Sequence, residues 1–112
     1  MKSIDPITEK TVRRFLDLIR ERYNVAGAII YGSRARGTHD HESDADVAIL
    51  LPGSRRDFWT VINDMSDVAH DIMIDTDIFI SPLPVWQNEW ECPSIHPNPG
   101  LLYSIEKEGI PL

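Results

Sequence analysis

Cysteine is almost absent from this sequence, and long apolar runs are missing altogether. The only cysteine among the 112 residues is Cys92, so the chain cannot form an internal disulfide, and one free thiol fits a reducing compartment. No apolar run approaches the roughly 20 residues that a membrane-spanning helix needs. Residues 1–10 lack the apolar core of a secretory signal. These absences predict a soluble, cytoplasmic protein.

Positive charge is also scarce. The chain carries 11 Lys and Arg against 18 Asp and Glu, which gives a formal net charge of -7. A nucleic-acid-binding surface needs a basic footprint, so this excess argues against direct contact with nucleic acid. It permits a basic protein partner, or a site that concentrates carboxylates around a metal ion. The length and a hydrophobic content of 42% predict one domain, residues 1–112, small enough that self-association is an option.

The hydrophobic pattern predicts a small α/β fold. Apolar residues recur at helical spacing through residues 6–23, and Asp5 followed by Pro6 is typical of a helix start. Pro82 and Pro84 are expected to end the third strand. The other expected elements are a strand at 26–31, a short helical segment at 33–37, a strand at 43–51, a helix from 55 to about 70, a strand from about 73 to 81, a mostly irregular segment at 82–98 and a helix at 99–108. This order predicts a mixed sheet covered by helices.

The first expected strand runs directly into Gly32 and Ser33, and a helix start follows. Such a turn offers backbone N–H groups and a hydroxyl at one point, which suits a phosphate. Gly32 would let the backbone approach a ligand closely. Arg34 and Arg36 lie in the same turn and are predicted to supply positive charge to a polyphosphate, although either could be a plain surface charge.

Ten residues separate Ser33 from a pair of aspartates, Asp44 and Asp46. Side chains two residues apart on a strand point to the same side, about 7 Å apart. Carboxylates held in this way repel each other without a cation, and Mg²⁺ typically takes one or two carboxylates together with substrate phosphates. A third carboxylate is expected on the next strand, where Asp77 is favoured over Asp75 because the apolar run 78–80 follows it directly. The predicted metal ligands and catalytic residues are therefore Asp44, Asp46 and Asp77.

These motifs resemble the signature of the DNA polymerase β-like nucleotidyltransferases. The stretches GSRARG (32–37) and SDADV (43–47) are similar to the pattern of the minimal nucleotidyltransferase (MNT) group, namely Gly-Ser, ten residues, Asp-x-Asp. The closing stretch at 101–109 is similar to the usual end of that group. The resemblance implies the minimal polymerase β-like fold, with ATP held at Gly32 and Ser33 and Mg²⁺ held by the three aspartates. It implies transfer of AMP from ATP to a hydroxyl, with release of pyrophosphate.

The resemblance also implies a biological role. Small MNT proteins are often antitoxins, paired with a HEPN-domain ribonuclease toxin, and are thought to add AMP to a toxin tyrosine. Two alternatives stay open: an antitoxin that neutralises its toxin by binding alone, and one subunit of a small-molecule adenylyltransferase of the aminoglycoside type. A zinc site in the loop from His39 to Glu42 is disfavoured, because neighbouring loop residues have poor geometry for chelation.

Overall fold

A four-stranded mixed sheet with helices on both faces organises the chain. The computed structural model describes residues 4–40 and 42–112. No helix in these two ranges is both long and apolar enough to cross a membrane. In chain order the elements are α1 (Pro6–Arg20), β1 (Gly27–Tyr31), α2 (Ser33–Arg36), β2 (Ala45–Leu51), α3 (Phe58–Thr76), β3 (Ile80–Trp86), α4 (Gln87–Glu91), a 3₁₀ turn (Pro93–Ile95), α5 (Pro99–Glu108) and β4 (Ile110–Pro111).

The strands lie in the order β3-β2-β1-β4. β1 is antiparallel to β2 and β4, whereas β2 and β3 are parallel. A parallel pair needs a long crossover, which α3 provides, while the antiparallel β1 and β2 are joined through the short α2 and its loop. The predicted fold, a small mixed sheet covered by helices, is confirmed.

The central strand β2 has a different helical layer on each of its faces. Val47 and Ile49 are fully buried on the face that packs against α1 and α3. Ala48 points the other way, into a second cluster that includes Leu102 and Ile105 of α5. By the same alternation Asp46 belongs to the α5 face, near the start of the strand. The Asp46 carboxylate therefore lies at one end of this face of β2, and α5 covers the other end.

Helix α1 begins where the sequence predicted and ends at Arg20 rather than at residue 23. Asp5 caps it, since its carboxylate accepts hydrogen bonds from the Thr8 backbone N–H (2.9 Å) and the Thr8 hydroxyl (2.6 Å). Tyr23 lies beyond the helix, and its hydroxyl donates to Asp64 on α3 at 2.8 Å. The buried apolar stripe of the helix comprises Val12, Phe15, Leu16 and Ile19.

The third strand differs from its prediction. Helix α3 continues through Thr76, and β3 begins only at Ile80, so the predicted helix end near residue 70 and the predicted strand at 73–81 are wrong. The helical period explains the longer helix, because Ile72 continues the buried stripe of Val68 and Ala69 beyond the predicted helix end. The chain leaves the helix at Asp77.

Pro82 and Pro84 lie inside β3, so the prediction that they end the strand is also wrong. β3 is an edge strand that pairs only with β2. The Phe79 carbonyl accepts from Ala45 of β2 (2.9 Å), so by alternation residues 81, 83 and 85 face β2 with their backbone polar groups. The two prolines then turn their nitrogens to the open edge, where no donor is required.

The prediction that 82–98 is mostly irregular is wrong, because this segment contains most of β3, the helix α4 and the 3₁₀ turn. Glu89 of α4 is 2% exposed, accepts from the Trp86 backbone N–H at 3.1 Å, and forms an ion pair with Arg55 at 2.8 Å. Helix α5 has the predicted bounds. The short β4 was not predicted; it pairs with β1 after Gly109, where an added Cβ would collide with Ile29.

Candidate active site

The turn after β1 needs glycine at residue 32 for two separate reasons. Gly32 has φ 78° and ψ -157°, a backbone conformation that is essentially confined to glycine. A Cβ at this position would collide with Oδ2 of Asp46 and would lie 3.4 Å from its Cγ. The turn therefore packs directly against the Asp46 carboxylate, and Ser33 follows as the first residue of α2. Folding brings the two halves of the sequence motif into contact.

Asp44 and Asp46 form a like-charged pair of unequal exposure. Asp44 is exposed, whereas Asp46 is half-buried beside Gly32. Burial raises the pKa of Asp46, the charge of Asp44 raises it further, and Arg36 partly opposes both effects. A half-buried carboxylate with a second one beside it is destabilised in its charged form, and a bound cation relieves that cost.

Tyr31 is the cross-strand partner of Asp46, and the sequence reasoning missed it. Burial and the charge of Asp46 raise the pKa of Tyr31 to about 12, so its hydroxyl stays protonated at neutral pH. Its place directly before Gly32 was the available signal, because antiparallel pairing of the two motif strands sets the last residue of β1 opposite an aspartate of β2.

The Arg36 side chain is exposed and lies close enough to Asp46 to affect its charge. It lowers the pKa of Asp46, and its Nη1 lies 3.3 Å from Oε2 of Glu108 at the end of α5. Its predicted contact with a polyphosphate stays a prediction, and its exposure and nearness to Asp46 are compatible with that role. Glu108 was not a predicted site residue, since only tertiary packing brings the end of α5 to α2.

Arg34 does not face the open site as the sequence predicted. Arg34 is only 4% exposed. Its Nε donates to the Ser43 carbonyl (2.9 Å), and its Nη1 donates to the Thr8 hydroxyl (2.7 Å). The prediction of a phosphate contact needs this correction, because Nε and Nη1 are engaged inside the protein. A guanidinium buried in this way holds chain segments together.

The third carboxylate does not lie on a strand beside the pair. Asp77 is exposed and caps the C-terminal end of α3, with a left-handed φ of 62°. Asp75 is exposed and forms an ion pair with Arg14 at 2.6 Å. In the register of β2 and β3, Ser81 lies opposite Asp46. In residues 4–40 and 42–112, no three His, Cys, Asp or Glu side chains group so that they could hold a metal ion. A metal role for Asp77 stays a prediction.

The loop between the two halves of the motif contacts Asp5, the N-cap residue of α1. His39 Nε2 lies 3.1 Å from Asp5 Oδ2, and both residues line a cavity of about 360 Å³ together with Arg34 and Asp77. His41, part of the disfavoured zinc alternative, lies outside the described residues.

Comparison with known proteins shows what the chain is similar to. The sequence profile of the nucleotidyltransferase domain matches residues 12–110. Among solved structures, the chain is similar to a candidate nucleotidyltransferase from Sulfolobus solfataricus, with 18% identity, a TM-score of 0.45, and coverage of 73% of this chain and 69% of that chain. No curated protein matches the sequence. The profile spans nearly the whole chain and contains both halves of the motif. The protein belongs to the nucleotidyltransferase domain family.

Proposed function

We propose that this protein transfers AMP from ATP to a hydroxyl of a partner protein, and that it acts as the antitoxin of a HEPN-type toxin by modifying a toxin tyrosine. The observation that carries the chemistry is the contact between the Gly32 turn and the Asp46 carboxylate, whose pKa the nearby charge of Asp44 raises. This contact supports the proposal because it places a turn suited to phosphate next to carboxylates suited to a divalent cation, and nucleotidyl transfer needs both.

The residues present fit a magnesium ion. Asp44 lies directly before β2 and Asp46 lies in it, and two carboxylates suit Mg²⁺ when substrate phosphates complete its coordination. The half-burial of Asp46 and the repulsion from Asp44 leave the negative charge of Asp46 incompletely balanced, as its raised pKa indicates. When bound, the ion would neutralise charge that develops on the phosphate oxygens during transfer.

The chain's own residues have separable roles in this proposal. The backbone at Gly32 and the Ser33 hydroxyl bind the triphosphate, and Arg36 adds positive charge at the rim. The acceptor oxygen forms a bond to the α-phosphorus while the bond from that phosphorus to pyrophosphate breaks. The acceptor proton passes to a carboxylate of the site or to solvent.

Two features favour a protein as the acceptor. Asp44 is exposed, and Phe79 at the start of the open sheet edge is 39% exposed, so a large acceptor can approach from this side. The net charge of -7 favours a basic partner surface.

The test is transfer of label from ATP labelled at the α-phosphate, with Mg²⁺ present, to the protein encoded by the adjacent gene. The double variant Asp44→Asn, Asp46→Asn should lose the transfer. The matched control is Asp67→Asn, Asp71→Asn, which removes two charges from exposed positions of α3 and should retain it.

Each other outcome rejects a part of the proposal. Inhibition of the partner without label, unchanged in the Asp44→Asn, Asp46→Asn variant, would identify an antitoxin that acts by binding alone. Label on a free aminoglycoside without any second protein would identify a small-molecule adenylyltransferase. Label that persists in the double variant would reject the assignment of the two aspartates.

A further inference from the structure

A side-chain hydrogen bond joins the two ends of the ten-residue segment that separates the two halves of the motif. Arg34 is the first of the ten and Ser43 is the last. The Arg34 Nε donates to the Ser43 carbonyl at 2.9 Å, in an environment where Arg34 is 4% exposed. The hydrogen bond therefore joins the residue that follows Ser33 to the residue that precedes Asp44.

The same guanidinium is anchored to α1. Its Nη1 donates to the hydroxyl of Thr8 at 2.7 Å, and Thr8 is fully buried. That hydroxyl in turn donates to Asp5 at 2.6 Å, and His39 reaches the same Asp5 oxygen at 3.1 Å. A continuous polar chain thus runs from the helix cap to the segment between the motifs.

We propose that Arg34 is a positioning residue, which fixes the first carboxylate, Asp44, relative to the Gly32-Ser33 turn, with Thr8 as its anchor. The Asp44 side chain is exposed, so its position follows from its backbone and not from packing around its carboxylate. That backbone enters β2 directly from the Ser43 carbonyl that Arg34 holds. The consequence for metal binding rests on the proposed function; the positioning of the segment does not.

Loss of the guanidinium has a specific physical result. The partly buried Ser43 carbonyl and the buried Thr8 hydroxyl each lose a charged donor, and the chain relaxes to regain water or other partners. Asp44 then moves away from the geometry that it shares with Asp46. Groups that hydrogen-bond to metal-ligating side chains typically change metal affinity by about 10- to 100-fold when they are removed, and we expect the lower end of this range for Arg34 because it acts through the backbone of Ser43.

The experiment compares Arg34→Met with wild type. Mn²⁺ serves as the probe, its affinity is measured by electron paramagnetic resonance, and the temperature is kept well below every unfolding midpoint. We expect the Mn²⁺ dissociation constant to rise about tenfold or more. Met65→Ala is the matched control, because it opens a cavity in the core under α3, where Met65 is fully buried. It should lower the melting temperature and leave Mn²⁺ affinity within about twofold of wild type.

A second pair of variants tests the anchor. Thr8→Ser keeps the hydroxyl and should retain wild-type Mn²⁺ affinity. Thr8→Val keeps the shape but removes the hydroxyl, and should weaken Mn²⁺ binding in the same direction as Arg34→Met. Unchanged Mn²⁺ affinity in Arg34→Met, together with a melting temperature lowered as in Met65→Ala, would reduce Arg34 to a stabilising residue and overturn the proposal.

Hydrogen exchange tests the positioning role of Arg34 without any metal ion, and so independently of the proposed function. If wild type binds no Mn²⁺, the metal site fails, but the positioning role is still measurable in the metal-free protein. Arg34→Met should then speed exchange about tenfold in a peptide covering residues 38–47, relative to a peptide from α5. Met65→Ala should show no such selectivity. Equal acceleration of both peptides in Arg34→Met would overturn the proposal.

Discussion

The Gly32→Ala substitution tests the contact on which the site is built. An alanine at φ 78° and ψ -157° occupies a region that costs on the order of 1–3 kcal/mol for a residue with a Cβ. The new methyl group also collides with Oδ2 of Asp46, which must rotate away. Displacing a well-packed group adds on the order of 1 kcal/mol or more. We therefore expect the free energy of unfolding to fall by about 2–4 kcal/mol.

Gly53→Ala is the matched control for this change. Gly53 has a similar φ of 84°, but a Cβ there meets no atom within 4 Å. This variant should lose only the backbone contribution, about 1–2 kcal/mol. The cost of Gly32→Ala should also shrink by about 1 kcal/mol in an Asp46→Ala background, where no carboxylate stands in the way.

Urea unfolding at neutral pH measures all three differences, because the midpoint and slope give the free energy of each variant. Equal losses for Gly32→Ala and Gly53→Ala, with no coupling to Asp46→Ala, would refute the contact between the turn and the carboxylate. Mn²⁺ binding provides a functional check. Gly32→Ala should bind the ion less tightly because Asp46 is displaced, whereas Gly53→Ala should bind it as tightly as wild type does.

Three further predictions concern the ionisable groups around the site. Because burial and the charge of Asp44 raise the pKa of Asp46, its stability contribution is fully present below the ordinary value of 3.8 and is lost as pH rises through the raised one. Asp46→Asn should therefore melt above wild type at pH 7 but not at pH 3, and a lower melting temperature at pH 7 would contradict this. For Asp5, burial raises the pKa, but hydrogen bonds from Thr8 outweigh it, so the net pKa is lowered and the stabilisation is lost only as pH falls through that lowered value. Asp5→Ala should reduce the free energy of unfolding by about 1 kcal/mol at pH 7, with a smaller deficit in acid; equal unfolding curves at pH 7 would count against the cap. Tyr31→Phe should remove a component near pH 12 from an alkaline absorbance titration, and loss of a component near 10.0 instead would contradict the placement of Tyr31 beside Asp46.

Local patterns determined much of this protein. Asp5 with Pro6 predicted the start of α1, and the apolar runs that end at Gly32 and follow Asp46 predicted β1 and β2, because capping and alternation are properties of neighbouring residues. The spacing between Ser33 and Asp44 indicated a nucleotidyltransferase, and the profile match to residues 12–110 confirms that domain family, whereas membership of the MNT group stays a prediction.

Other features required the tertiary structure, because they depend on residues far apart in the chain. The two prolines of β3 are tolerated only because that strand lies at an edge, a property of the whole sheet. The C-terminal part of α3 reads as a strand in isolation, but the core that it shares with α1 favours another turn of helix.

The side chains of the site divide in the same way. Asp44 and Asp46 were predicted from the sequence on the basis of their two-residue spacing along an expected strand at 43–51; β2 begins only at Ala45, so Asp44 lies directly before it. The destinations of Arg34 and Arg36 could not be read from a motif in which both stand in one turn. Arg34 turns inward because Thr8 and the Ser43 carbonyl meet it there, and Arg36 turns outward to Glu108 and Asp46. The sequence thus determined which charges the site contains, whereas packing of α1 and α5 against the sheet decided which of them face the open site.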